Sequence, residues 1–390
     1  MFSSDAYKQI SSLILHRRNG DVFILKGETM IDSKQLRHHP EEMIQALKKR
    51  GFFLDIQSFL TPDQKKRELL NEAEEKKNLR NTLSKKLGIA KKKGSQAEYT
   101  SLIEEIRLLN QEVELLDKQI DILDAEADEF LRSIPNPPAA CVPNENTVQK
   151  ELQNERVFLW EPKTYQEITD DLRLSLPTKP DEKIRTYTGL AARLERALIC
   201  FLLDTFSASG FVEVALHAHS SIDFLYQDSI FELEMLPVRH CAFHDAAAGQ
   251  LSLAACLTPE TIHTELENMS CLFEKALALL ALPYRIVVSG AKTLDFTAAE
   301  AIQIEVWFPG TKRFEKAAVF FNHEAFLSRH NAIRFRTRQK EKPQYLYTLS
   351  SAIDAGNILL NAILENNQNE DGTVSVPEVL IPYIGATLIC

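Results

Sequence analysis

The sequence predicts an α+β protein: an antiparallel helical hairpin of coiled-coil type, followed by a domain with a largely antiparallel sheet. Three observations carry this. From Tyr99 a 3-4 alternation of apolar residues runs through Leu102, Ile106, Leu109, Val113, Leu116, Ile120, Leu123, Ala127 and Phe130, the spacing of a coiled-coil seam. Upstream, Leu69, Ala73, Leu83, Leu87 and Ala90 follow a matching ladder, and the intervening Lys91-Lys92-Lys93-Gly94-Ser95 supplies the glycine and serine that end a helix and let the chain reverse. Beyond a proline cluster, strand and helix patterns mix without a regular βαβ rhythm, which favours α+β over α/β.

At 1.5 Å per residue the second helix would be roughly 48 Å long, more than a globular core needs, so the hairpin should project. Lys76 and Arg80 occupy two rungs of the first ladder, making it the poorer seam. Pro135, Pro137, Pro138 and Pro143 exclude a continuing helix and mark a linker. After it, residues 187–208 and 259–281 read as helices, and residues 211–214, 284–288 and 302–308 as strands. The expected division is an extension over 1–29, the arm over 30–132, a linker over 133–180 and the second domain over 181–390. Met30-Ile31-Asp32 would itself make a plausible start. Asp5 and Lys8 precede the apolar patch Ile10 to Leu15, and no small-residue cleavage site follows, which argues against a secretory signal.

With a net charge of −10 the chain is not coated in basic surface, and no apolar run approaches the ~20 residues of a membrane span. A soluble, cytoplasmic protein is expected. Its six cysteines form no CxxC pair or zinc-type cluster and read as reduced thiols. His217, His219, His240 and His244 fit no standard ligand spacing, so no metal is expected. With 13 glycines and neither a Walker loop, a GxGxxG nor a GxSxG, glycine-rich phosphate loops are hardly available.

Charge is divided along the arm. Residues 62–98 hold eleven Lys/Arg against six Asp/Glu, and residues 99–130 hold two against ten. One reading is a solvated coiled coil whose opposite charges pair across the seam. The other is that Arg80, Lys85, Lys86, Lys91, Lys92 and Lys93 line a face that contacts phosphates, where each neutralised phosphate releases counterions and adds sequence-independent affinity.

The segment Met30-Ile31-Asp32 to Gly51-Phe52, the hairpin, and Ser133-Ile134-Pro135-Asn136-Pro137 resemble, in order and spacing, the front half of bacterial seryl-tRNA synthetases. So do Ile304-Glu305-Val306-Trp307-Phe308-Pro309-Gly310, the run from Leu364-Glu365-Asn366 to Gly372, and Val376 to Tyr383 in the tail. The resemblance covers nearly the whole chain after residue 29. It implies a class II synthetase fold, an antiparallel sheet flanked by helices, used as a homodimer whose arm reads the long variable arm of serine tRNA by shape and backbone. Gly210-Phe211-Val212-Glu213-Val214 fits the family's dimer motif, although His217 stands where the family places a proline.

The same resemblance implies a dismantled site. Class II activation condenses a carboxylate with ATP, and arginines hold the polyanion. His244 stands where the family has the first arginine, Ala246 where it has a glutamate, and the following loop is cut to about Ala247 to Gln250. No counterpart of the serine-binding Thr-x-Glu occurs between Asp228 and Pro237. The family's Glu-Ile-Ser-Ser aligns with Lys316, Ala317, Ala318 and Val319. The third motif aligns with Ser350 to Ile358, which puts Ala352 on a site position, Ile353 on a glycine that leaves room for nucleotide, and Ile358 on the second arginine. A mostly neutral imidazole does not replace a permanent bidentate cation. The expected function is therefore a degenerate seryl-tRNA synthetase paralogue with no cofactor, binding serine tRNA or a related structured RNA, or pairing with an authentic synthetase to regulate it. The alternatives are an active serine–tRNA ligase using ATP and magnesium, and a coiled-coil interaction protein without catalysis.

Overall fold

Two helices of 37 and 38 residues dominate the first half of the chain. The computed structural model describes residues 17–18, 21–22, 30–93, 96–152, 156–176, 186–215, 230–232, 240–245, 249–338 and 341–390. After a two-residue ribbon, β1 (Arg17–Arg18) and β2 (Asp21–Val22), come α1 (Ser33–His38) and α2 (Pro40–Lys49), then the long pair α3 (Gln57–Lys93) and α4 (Gln96–Ser133). The predicted seam closes the pair: Leu83, Ala90, Leu102, Leu109, Val113, Leu116 and Ile120 are all buried. Lys76, on a rung of the poorer ladder, bends outward to Glu112 at 2.7 Å, and Arg80 reaches Asn110 at 3.4 Å. Their stems cover the seam while their charges stay at its rim. Gly94 and Ser95, where the reversal is expected, lie outside the described residues.

The second half is built on an eight-stranded sheet in the order β3-β8-β9-β10-β13-β7-β6-β4. Its strands are β3 (Thr147–Leu152), β4 (Val212–Ala215), β6 (His240–Asp245), β7 (Gln250–Leu257), β8 (Tyr284–Val288), β9 (Glu300–Phe308), β10 (Arg313–Glu324) and β13 (Tyr347–Asp354). All neighbours are antiparallel except β4 and β6. A small sheet of β5 (Ile230–Glu232), β11 (Arg334–Arg336) and β12 (Gln344–Tyr345) lies apart, as does a ribbon of β14 (Val374–Ser375) and β15 (Leu388–Ile389). After α5 (Tyr165–Asp171), one sheet face packs in the main core with α6 (Gly189–Ala208), α7 (Ile262–Leu279) and, beyond α8 (Phe326–His330), α9 (Leu360–Asn366); a short α10 (Ile381–Ile384) follows.

The expected linker is not one throughout. Residues Thr147–Leu152 pair with β8 as the edge strand of the main sheet, and Ile134 and Asn136 are buried, so only the proline-bearing stretch connects the halves. Tail residues that carry the family resemblance hold the structure together. Glu365, fully buried, accepts from the backbone N–H groups of Tyr165 and Gly310 at 2.8 and 2.9 Å, and Asn366 donates to the Trp307 carbonyl at 2.9 Å.

The arm is fixed to the sheet domain through its base. Met30, Leu36, Leu47, Phe59, Leu131 and Ile134 form one cluster with Phe326, which meets Phe296 edge to face. Above this cluster the Arg50 guanidinium donates to the carbonyls of Asn136 (2.7 Å), Ala298 (3.0 Å), Leu294 (2.9 Å) and Asp295. Burial lowers its pKa to about 10, so it stays charged at neutral pH. Arg50→Ala should cost about 2–4 kcal/mol, because carbonyls partly shielded from water lose a charged donor. Arg50→Lys should recover less than half of this, since an ammonium cannot fork to carbonyls from several segments. Urea unfolding followed by circular dichroism checks both, and a parental midpoint for Arg50→Ala would refute the role.

Candidate active site and helical arm

The residues expected to form the site sit on β6, β10, β13 and the turn after β13, and alternation divides them between two faces. Val319 and Ala352 are direct register partners and share the face away from the main helices, where Val319 packs with Val142, Ala291 and Leu294 near the linker. Ala318 pairs with Ile353 on the opposite face, and both are buried in the helix-covered core. Ile353 therefore fills core against the helices and does not intrude on the face of Ala352. Ala317 falls at the register shift between Lys316 and Ala318, and Lys316 is exposed opposite Glu305.

His244 pairs with Leu251, a core residue, while its neighbour Phe243 packs on the other face with Cys241, Ala254 and Cys256. Its Nε2 is buried without a hydrogen-bond partner among the described residues. Ile358 is half-buried against the helix-side core. The expected constellation is thus not one cluster: His244, Ala318 and Ile358 lie on the helix side, and Val319 and Ala352 on the other. Ala246, His217, His219 and most of the segment from Asp228 to Pro237 lie outside the described residues.

A group that the sequence reading missed stands where the hairpin of β6 and β7 turns. Gly249, with φ of +62°, accepts at its carbonyl from the Gly356 N–H at 2.8 Å, and Glu195 of α6 is seated against both glycines. A Cβ at Gly249 would lie 2.9 Å from Gly356 Cα, and one at Gly356 would lie 2.9 Å from Gly249 Cα, so neither position admits a side chain without backbone movement. Burial first, then the Asp354 carboxylate, push the Glu195 carboxyl above its usual range. Asp354 Oδ1 itself accepts from the N–H groups of Asn357 and Ile358 at 3.0 and 3.2 Å, capping the π turn Ala355–Leu359 that leads into α9. An aspartate just before a helical run is a readable cap signal. A lone glutamate on an amphipathic helix carries none.

A second polar group joins this region to the arm. Asn136 donates to the carbonyls of Thr297 and His323 at 2.8 and 2.9 Å. His323 Nδ1 donates to the Thr297 carbonyl at 3.2 Å, which leaves Nε2 to accept from the Ser350 hydroxyl at 2.7 Å. Arg50, Asn136, His323 and Ser350 form a continuous chain from arm base to third-motif strand.

On the arm, charge pairing stops part-way. Near the base Lys66 bonds Asp124, Lys77 reaches Asp117 at 2.9 Å and Lys76 reaches Glu112. Farther out, no ion pair among the described residues involves Arg80, Lys85, Lys86 or Lys91, and the three lysines are exposed. The side chains of Lys92 and Lys93 lie outside the described residues. Of the two sequence readings of the arm, charge pairing across the seam is seen near the base.

Comparison with known proteins decides the family. Residues 30–138 match the profile of the seryl-tRNA synthetase N-terminal domain. A serine–tRNA ligase of Carboxydothermus hydrogenoformans is 33% identical across 92% of this chain and 99% of its own, and one of Acetivibrio thermocellus is 35% identical across 91% and 99%. The chain belongs to the seryl-tRNA synthetase family. The crystal structure of the seryl-tRNA synthetase from Pyrococcus horikoshii, complexed with ATP, shares its fold with a TM-score of 0.82 at 23% identity, covering 92% of this chain and 99% of that one. The match to the Carboxydothermus enzyme spans 423 positions, more than 92% of 390 residues can fill, so that synthetase carries segments absent here.

In this seryl-tRNA synthetase fold His323 also sets a pH dependence. Burial depresses its pKa from 6.5 to about 4. Between those values the unfolded chain binds the proton and the folded chain does not. The contribution is complete above the unfolded pKa and is lost as pH falls toward the folded one. From pH 7 to pH 5 it should remove about 2 kcal/mol. His323→Gln should lack that part of the decline in urea titrations at the two pH values; an equally steep decline in parent and variant would refute it.

Proposed function

We propose that this member of the seryl-tRNA synthetase family binds serine tRNA, or a structured RNA of similar shape, through its arm and does not form an adenylate on its sheet. The observation that carries the second half is the charge at the turn after β13. Glu195 and Asp354 are neighbouring carboxylates there, Asp354 occupies the N–H groups at the start of the helical turn, and Ile358 follows. A triphosphate brought to this turn would meet like charge. If each arginine of the family's site is worth ~3 kcal/mol to the transition state, loss of both slows activation by about 10⁴-fold. On this reading the protein needs no cofactor and acts in the cytoplasm as a pseudoenzyme, as a homodimer or paired with an authentic synthetase.

The names of the relatives favour a second reading. Proteins called serine–tRNA ligase match nearly end to end at 33–35% identity, which supports serine–tRNA ligation with ATP and magnesium more directly than loss of it.

The arm supports RNA binding on either reading, because the exposed outer lysines Lys85, Lys86 and Lys91 form no ion pair among the described residues. Lys85→Glu, Lys86→Glu and Lys91→Glu together should weaken binding of transcribed serine tRNA most at low salt. They should flatten the slope of log affinity against log salt by roughly two to three. Unchanged affinity and slope would remove the arm from RNA recognition. Calorimetric titration with ATP and magnesium separates the two readings: micromolar binding enhanced by serine would favour the ligase, and no binding would favour the pseudoenzyme.

A further inference from the structure

Residues 329–345 carry six Lys/Arg against one Asp/Glu in a chain whose net charge is −10. The end of α8, β11 and β12 lie within this stretch, and strand alternation sorts its side chains. Ile333, Phe335 and Leu346 are buried in a small core with Cys241, Phe243 and Cys256. Arg334 and Arg336 therefore share the opposite face of β11, and Tyr345, the register partner of Arg334, joins them there. The Arg334 guanidinium stands 5.1 Å from the centre of the Tyr345 ring and donates to its hydroxyl at 3.3 Å. That of Arg329, at the end of α8, stands 5.7 Å from the same ring. Stacking on an aromatic face orients a guanidinium without using up its N–H donors.

Protein carboxylates do not engage these cations. Arg329, Arg336, Arg338 and Lys342 form no ion pair among the described residues, and the Arg336 Nε has no hydrogen-bond partner there. Glu324 feels the charge of Arg329 without pairing with it. Glu232 stands opposite Arg336 in the register with β5, and its side chain lies outside the described residues. Arg338 and Lys342 are exposed on the connection from β11 to β12. Planar guanidinium forks match the oxygens of a phosphate, whereas a second copy of the chain would oppose like charge. The face also begins where the arm joins the sheet domain. Arg132, in the last turn of α4, adds its charge to burial in lowering the pKa of His330, the neighbour of Arg329. We propose that the outer face of β11 and β12 is a second phosphate-binding surface, which holds the backbone of the same structured RNA that the arm binds. It rests on the RNA-binding reading of the arm.

Binding of transcribed serine tRNA to the full chain across a salt series tests it. Arg329→Gln, Arg336→Gln and Arg338→Gln combined should weaken binding at least about tenfold at low salt and flatten the slope of log affinity against log salt by roughly two to three. Arg338→Gln with Lys342→Gln removes only exposed side chains that make no ion pair, so the fold should be unaffected. Its slope should flatten by roughly one to two. Parental affinity and slope in both variants, with the arm variant still weakened, overturn this surface and leave the arm reading standing. A parent that binds no RNA overturns the two together. Polyglutamate supplies the remaining arm of the test: if the double variant loses affinity for polyglutamate while its affinity for RNA is unchanged, the occupant is an acidic protein and the RNA assignment is overturned.

Discussion

The guanidinium of Arg50 collects carbonyls from Asn136, Leu294, Asp295 and Ala298, and through it the arm becomes part of the sheet domain. A projecting two-helix hairpin has a narrow seam and, by itself, no fixed direction. Its direction comes from the base, where an apolar cluster meets Phe326 and a charged fork ties the turn after α2 to two loops distant in sequence. Asn136 extends the same chain of hydrogen bonds to His323 and Ser350. The direction of the arm and the geometry of strand β13 therefore share one set of buried polar contacts. Such contacts stabilise only when all are made.

At the sheet the decisive constraint is electrostatic. The turn that joins β6 to β7 is latched to the turn after β13 by one backbone hydrogen bond between two glycines, and the space against them is taken by Glu195. Alongside it the Asp354 carboxylate takes up the N–H groups of Asn357 and Ile358 that would otherwise be available to an anion. The arm shows the reverse arrangement. Acidic α4 pairs with Lys66, Lys76 and Lys77 of α3 near the base, whereas Lys85, Lys86 and Lys91 farther out form no ion pair among the described residues.

Much of this was legible in the sequence because periodicity is strong where one face is buried. The seam from Leu102 to Phe130, the helix ending at Ala208 and the strand at residues 284–288 are found within a few residues of their expected bounds. Strands β7, β10 and β13 gave no alternation to read, since runs such as Ala317-Ala318-Val319-Phe320 are buried on both faces. Alignment without gaps placed Ile353 in the nucleotide space, but strand register turns it into the helix-side core beside Ala318. Arg50, Asn136, Glu195 and His323 could not be found from pattern, because their partners are backbone groups and glycines brought together only by folding.

The claim most exposed to refutation is that this sheet does not activate an amino acid. Serine-dependent exchange of pyrophosphate into ATP measures that step directly, without requiring RNA. The charge arrangement at Glu195, Asp354 and Ile358 predicts a rate at least about 10³-fold below that of an ordinary seryl-tRNA synthetase assayed alongside. Exchange within about a hundredfold of that enzyme would contradict the account and establish the chain as a working ligase.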